Sequence, residues 1–340
     1  MNRRQTLVGA SAAGLIAATN QAGAETAQPA LKPFPVRRSV NLGNGLDAPS
    51  EGEWGYRIED SHLDLIAAAH FDGIRLPVRW DTHMAADAPY RIDPTYMARV
   101  DHVVAYALGK GLKVQLDVHH FVPMNEHPDQ NMPRFRACWR QIAEHFSGAP
   151  DALLFEPLNE PNGAPWTGGS VRDMDQAMLE EIRPSNPTRT VVMGGPQWNS
   201  IDGLAHWTPP DDPHIVVTAH YYEPFNFTHQ DAAFLGANAP HFGREWGTPA
   251  DIDQMHQDLG RAAAWGREHG YAMQIGEFGV NERVPLAQRA RWTYCMRYLC
   301  ESLGMGWSVW GFTAGFPIFD PATGRFIPAM LQALMAPAAQ

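Results

Sequence analysis

The 340-residue sequence is poor in cysteine, with only Cys138, Cys295 and Cys300, so no dense disulfide framework can hold it together. Cys295 and Cys300 stand five apart on what reads as one helix and so point to nearly opposite faces, which leaves buried free thiols as the expectation. Positive charge is also scarce: 26 Lys and Arg against 37 Asp and Glu give a formal net charge of −11. No Lys/Arg cluster offers a footprint for phosphates or lipid head groups, which excludes nucleic acid and membrane surfaces as partners and suits a neutral substrate. No Gly-rich dinucleotide fingerprint follows the first strand candidate, which removes the open nucleotide-binding sheet. No Pro/Ser/Thr linker interrupts the chain after residue 30.

What is present is the composition of a globular protein with a large core, 44% hydrophobic and 19% charged. Residues 1–24 read as an export signal: Arg3 and Arg4, an apolar run from Leu7 to Ala18 too short to span a bilayer, and a small-residue cleavage site at Ala22-Gly23-Ala24. Such a signal directs the chain to the periplasm or the medium, and the paired arginines leave the twin-arginine route open. A segment from 25 to 37 then leads into one catalytic domain spanning 38–340.

Within that span short apolar runs alternate with longer amphipathic stretches. The strand candidates are Ser39 to Gly43, Gly73 to Pro77, Lys113 to His119, Ala152 to Glu156, Thr190 to Gly194, His214 to Ala219, Ala272 to Glu277 and Met305 to Trp310. Helix candidates between them include Glu59 to His70, Pro94 to Lys110, Met132 to Phe146, Asp251 to His269 and Pro285 to Leu303, with Asp93 as a start signal and Gly111 and Gly270 as stops. Eight nearly all-apolar strands separated by helices predict a closed (β/α)8 barrel. The long, Phe-rich connection from Tyr222 to Ala250 is expected to form a lip over the site.

In such a barrel, chemistry sits at the C-terminal ends of the strands. There the sequence places Arg75, His119 and His120, Asn159 and Glu160, His220 and Tyr222, Glu277, and Trp310, a set no core requires. Two carboxyl groups facing each other across a mouth are what glycosidic bond cleavage needs, one protonated to assist the leaving oxygen and one ionised. Glu160, beside an amide that can bond a sugar hydroxyl, is the better proton donor, and Glu277, within reach of Arg75, the better nucleophile.

These motifs resemble family 5 of the glycoside hydrolases, close to its bacterial endo-β-1,4-glucanases, over nearly all of residues 38 to 330. Leu42-Gly43-Asn44-Gly45-Leu46, Ile74-Arg75-Leu76-Pro77-Val78, Leu116-Asp117-Val118-His119-His120, Leu158-Asn159-Glu160-Pro161, His220-Tyr221-Tyr222, Ile275-Gly276-Glu277-Phe278-Gly279 and Trp310 carry the resemblance. It implies double displacement with Glu277 as nucleophile and Glu160 as acid/base, with Arg75 and Tyr222 supporting Glu277 and His220 supporting Glu160. His119 and Asn159 would then touch the sugar at the cleavage point, and His120 and Trp310 would line the non-reducing side. Trp54, Trp80, Trp198 and Trp246 are further candidates for sugar stacking, whereas Trp139, Trp265 and Trp292 fall within helices and belong to the core.

No cofactor or metal is expected, the partner is a polysaccharide or oligosaccharide, and the chain should act as a monomer. Alternatives remain: a β-mannanase or xyloglucanase with the same carboxylate pair, a metal-dependent hydrolase built on the histidines, or a catalytically silent carbohydrate-binding barrel.

Overall fold

The computed structural model describes residues 30–336. The expected export signal lies outside that range, and among the described residues no helix is long and apolar enough to cross a membrane.

Eight parallel strands close into a barrel in sequence order: β1 (Arg38–Asn41), β2 (Gly73–Val78), β3 (Lys113–Val118), β4 (Leu153–Glu156), β5 (Val191–Met193), β6 (Ile215–His220), β7 (Met273–Phe278) and β8 (Gly306–Val309), with β8 returning to β1. All eight expected strands are present and differ only at their ends. Their residues are buried almost without exception, because the helices cover one face and the barrel interior the other. The long helices are α1 (Asp60–Ala68), α2 (Pro94–Gly109), α3 (Pro128–His145), α4 (Gly168–Ile182), α5 (Pro249–His269), α6 (Leu286–Ser302) and α7 (Pro328–Met335).

The start and stop signals act as their chemistry requires. Asp93 accepts from the Thr95 N–H at the head of α2, with Pro94 in the first turn, and Thr248 and Asp251 form a reciprocal capping box on α5. Gly270 ends α5 in the left-handed region at φ 76°. Helix α4 escaped the sequence reading because it opens on Gly168-Gly169, a poor helix start. Gly168 is there for space: a methyl group on it would lie 1.6 Å from the His206 carbonyl oxygen.

Trp139 and Trp292 are fully buried in the helical layer, and Trp139 donates its indole N–H to the Pro157 carbonyl at 3.0 Å. Trp265 is half-buried and stacks on His269. The three cysteines are free and buried. At the N-terminal end of the barrel Phe34 and Val36 pack with Leu154, Val192 and Ala272, so the floor is built partly from residues that precede β1.

Candidate active site

The C-terminal ends of the strands bring Arg75, Glu160, His220 and Glu277 to one place. One carboxylate oxygen of Glu160, one of Glu277 and a ring nitrogen of His220 all lie within 4.8 Å of one another. Arg75, wholly buried on β2, stands at the centre of the floor beneath them. Its Nη1 donates to Glu277 Oε1 at 2.6 Å and to Asn41 Oδ1 at 3.0 Å, and its Nε and Nη2 fork onto both oxygens of Glu156 at 2.8 Å. Nη2 also reaches Asn159 Oδ1 at 2.7 Å and Asp117 Oδ2 at 2.6 Å. One guanidinium therefore holds three carboxylates and two amides, a task for its planar five-donor fork. Burial opposes the Arg75 cation, but Asp117 and Glu156 outweigh it and hold it firmly protonated.

Asp117, Glu156 and Asn41 were missed as site residues. Their signal was available: a carboxylate within Leu153-Leu154-Phe155-Glu156, a strand buried on both faces, has to be paired. Asp117 anchors a second residue as well, since His119 Nδ1 lies 3.0 Å from its Oδ2. That leaves the far edge of the His119 ring for other contacts, and the ring stacks on the Trp310 indole at 5.1 Å and 4°. Trp310 in turn has no freedom to sink: a methyl group on Gly43 would lie 2.4 Å from its ring.

Glu277 and His220 owe their opposition to a register shift between β6 and β7. Ala219 pairs with Ile275 but His220 pairs with Glu277, which leaves Gly276 as the extra residue of a bulge. His220 Nδ1 then lies 2.8 Å from Glu160 Oε1 and 3.7 Å from Glu277 Oε2. Tyr222, half-buried, donates its hydroxyl to Glu277 Oε2 at 3.0 Å. Burial pushes the Glu160 carboxyl up to about 7, against the opposing charge of Arg75. Burial raises Glu277 too, opposed by His220 and by the direct bond from Arg75. Burial pushes His220 down to about 4 even with Glu277 beside it, so its imidazole is neutral at pH 7.

Of the four further tryptophans, two reach solvent. Trp54, 39% exposed, meets the His120 ring edge-on at 5.8 Å, while His120 in turn packs on His119. Trp198, 57% exposed, follows β5, and its N–H is tied to the Pro161 carbonyl just after Glu160. Trp80 and Trp246, expected as sugar-stacking rings, are instead buried. Trp80 is fully buried against the Tyr96 ring at 5.7 Å, and Trp246 packs beneath the 222–250 connection against Phe227. Neither indole can meet a sugar face, because each fills a gap in the apolar layer.

That connection is folded around Gln230, whose side chain bonds the backbone of Phe227, Gly243 and Arg244. It leaves Phe225, Phe234 and Phe242 exposed. Among the described residues two groups have donor atoms close enough to hold a metal ion: Asp47 with His119 and His120, and Glu160 with His220 and Glu277. The donors of the second group are already bonded to one another, to Arg75 and to Tyr222.

With this geometry in place, residues 33–315 match the model of the family described as cellulase, glycosyl hydrolase family 5. The chain belongs to that family. It is a glycoside hydrolase on a (β/α)8 barrel. It is 33% identical over 318 residues to Endoglucanase H of Acetivibrio thermocellus, covering 91% of this chain, and spans 34% of that protein's length. Against Endoglucanase A of Ruminococcus albus it is 35% identical over 219 residues, 57% of this chain and 60% of the relative. Among solved structures, Cel5A of Thermotoga maritima in complex with cellobiose superposes with a TM-score of 0.86 at 34% identity, over 88% of this chain and 97% of the other. A structure described as an endoglucanase superposes with a TM-score of 0.87 at 35% identity, over 89% and 97%.

Proposed function

We propose that this family 5 hydrolase cleaves internal β-1,4 linkages of a cellulose-type glucan by double displacement, with Glu277 as nucleophile and Glu160 as acid/base. The observation that carries this reading is the approach of the two carboxylates to within 4.8 Å. Retaining glycosidases hold their carboxyl groups about 5–5.5 Å apart and inverting ones leave room for a water between them. The relatives named as endoglucanases support the choice of glucan.

In the first step a carboxylate oxygen of Glu277, whose Oε2 accepts from Tyr222 and Oε1 from Arg75, attacks the anomeric carbon and forms the ester bond. The glycosidic C–O bond breaks and the leaving oxygen takes the proton of Glu160. In the second step Glu160 removes a proton from water, which attacks the same carbon and releases Glu277 as a carboxylate. Esterifying Glu277 removes a neighbouring negative charge, which lowers the affinity of Glu160 for its proton, so Glu160 stays ionised after the first step and serves as base in the second.

Asn159 gives its amide oxygen to Arg75, which turns its N–H groups toward a sugar hydroxyl at the cleavage point, where His119 presents its free ring edge. Trp310, His120 and Trp54 form the wall for the non-reducing side, and Trp198 an exposed ring near the leaving side. Export directed by residues 1–24 and action as a monomer belong to the same reading.

Proton NMR of the first product released from a soluble β-1,4-glucan tests it, with reducing-end assays on glucan and mannan beside it. Retention of the β-anomer with internal cleavage of glucan is the expected result. An α-anomer first product, or turnover confined to mannan, would overturn it.

A further inference from the structure

Asp47 follows β1 and the pair His119 and His120 follows β3, yet the two connections meet at one spot beside the cleft. A carboxylate oxygen of Asp47 and one ring nitrogen from each histidine lie within 4.8 Å of one another. Asp47 is 1% exposed. Its Oδ2 accepts the Asn44 N–H at 3.0 Å, while Oδ1, closed off from solvent, has no partner. A buried carboxylate oxygen is normally matched by a donor or a cation, and two imidazoles stand beside this one.

We propose that Asp47, His119 and His120 form a binding site for Zn2+, and that the bound ion shuts the non-reducing side of the cleft. Two imidazole nitrogens and one carboxylate oxygen suit Zn2+ or Cu2+, whereas Mg2+ and Ca2+ take oxygen ligands. His119 is already arranged as a ligand. Its Nδ1 lies 3.0 Å from Asp117 Oδ2, which leaves Nε2 for the ion, and a carboxylate behind the ring is the usual partner of a metal-binding histidine. Donors around a tetrahedral ion at about 2.1 Å stand about 3.4 Å apart, so the three side chains close by up to about 1.4 Å. The His120 ring can make that move, since it is half-buried and held by edge contacts to His119 and Trp54. The other group of donors, around Glu160 and Glu277, is less suited, because the Arg75 cation already occupies Glu277 and repels a second positive charge.

The consequence for turnover rests on the proposed hydrolase reading. There His119 meets the sugar at the cleavage point and His120 lines the non-reducing side, so an ion that takes both rings competes with the glycan for them. Each then weakens the binding of the other by the same factor.

Titration calorimetry of chelator-treated protein with Zn2+ at about pH 7.5 reads the site without turnover, with Mg2+ as the control. The expected result is a Zn2+ site in the parent that Mg2+ does not fill. Asp47→Asn and His120→Ala should each weaken it at least about a hundredfold, since even the groups behind a metal ligand are worth about 10–100-fold. Asp47→Asn keeps an oxygen for the Asn44 N–H and so keeps the turn, and His120→Ala removes a ring at the edge of the cleft. The paramagnetic resonance spectrum of one equivalent of Cu2+ should show two nitrogen ligands in the parent and one fewer in His120→Ala. Zn2+ should raise KM for glucan oligosaccharides in proportion to its concentration at unchanged kcat, and a chelator should reverse the effect. An Asp47→Asn protein that binds Zn2+ as tightly as the parent, a Cu2+ spectrum without nitrogen ligands, or Zn2+ that lowers kcat at saturating glycan would overturn the proposal. A parent protein that turns over no glycan would sink the hydrolase reading and leave the ion site standing on the calorimetry.

Discussion

Arg75 Nη1 lies 2.6 Å from Glu277 Oε1, and the same guanidinium also holds Glu156 and Asp117 through its remaining donors. The contact to Glu277 is therefore one arm of a buried network whose geometry is set by strands β2, β3, β4 and β7. Glu277 cannot turn without disturbing Glu156 or Asp117. Its carboxylate is fixed by the barrel itself, the rigid placement that the proposed role as nucleophile at an anomeric carbon would require.

Arg75→Lys should show how far this depends on shape rather than charge. An ammonium is a compact point charge and cannot fork onto Glu156 while reaching Glu277 and Asp117. Stranding buried carboxylates costs about 3–5 kcal/mol, so the melting temperature should fall clearly as kcat falls by two orders of magnitude or more. Thermal unfolding and initial rates on a soluble glucan check both. A lysine variant as active and as stable as the parent would show that charge alone suffices.

Glu160→Gln and Glu277→Gln should part company on the choice of substrate. A glycoside whose leaving group is already a stable anion needs no proton, so Glu160→Gln should still form the glycosyl-enzyme quickly and then stall for want of a base. Glu277→Gln should be inert toward every substrate. A rapid burst followed by a slow phase in the first variant alone is the expected trace; equal loss on both kinds of substrate would remove Glu160 from its role.

The barrel was legible in the sequence because each strand is an apolar run buried on both faces and each long helix has a period and a cap. The site was legible as strand ends carrying residues no core asks for. What stayed hidden was set by packing across the barrel. Glu156 and Asp117 look like ordinary strand residues until Arg75 is seen between them. Trp80 and Trp54 are both tryptophans on connections after strands, and only the position of Tyr96 makes one core and leaves the other open. The bulge at Gly276, which sets His220 opposite Glu277, is a matter of register, and one sequence carries no record of register.

Gly43→Ala offers a way to move Trp310 without touching it. The added methyl would sit 2.4 Å from the indole, which must then swing away from its stack on His119. Since the carboxylates are untouched, the loss should fall on binding: KM for glucan oligosaccharides up by about tenfold, the scale of an aromatic contact, with kcat changed far less. Trp310→Ala should give a loss of the same kind and at least the same size. A selective fall in kcat in both variants would argue that Trp310 orders the chemistry rather than the chain.

The raised carboxyl of Glu160 ties activity to stability through pH. Its proton must be present for the first step, so activity should fall as pH rises through about 7. The same shift works on folding. A carboxyl at about 7 in the native state and near its ordinary 4.5 when unfolded binds more protons in the native state between those values, so its contribution to stability is lost as pH rises across that window. Above it the native protein holds a buried charge that the unfolded chain would place in water. Glu160→Gln removes that charge, so the variant should melt higher than the parent by a few °C at about pH 8, with the difference shrinking toward about pH 5. Calorimetry at the two pH values checks the sign. A variant that melts lower than the parent at the alkaline value would mean that His220 and Arg75 stabilise the Glu160 carboxylate more than burial penalises it.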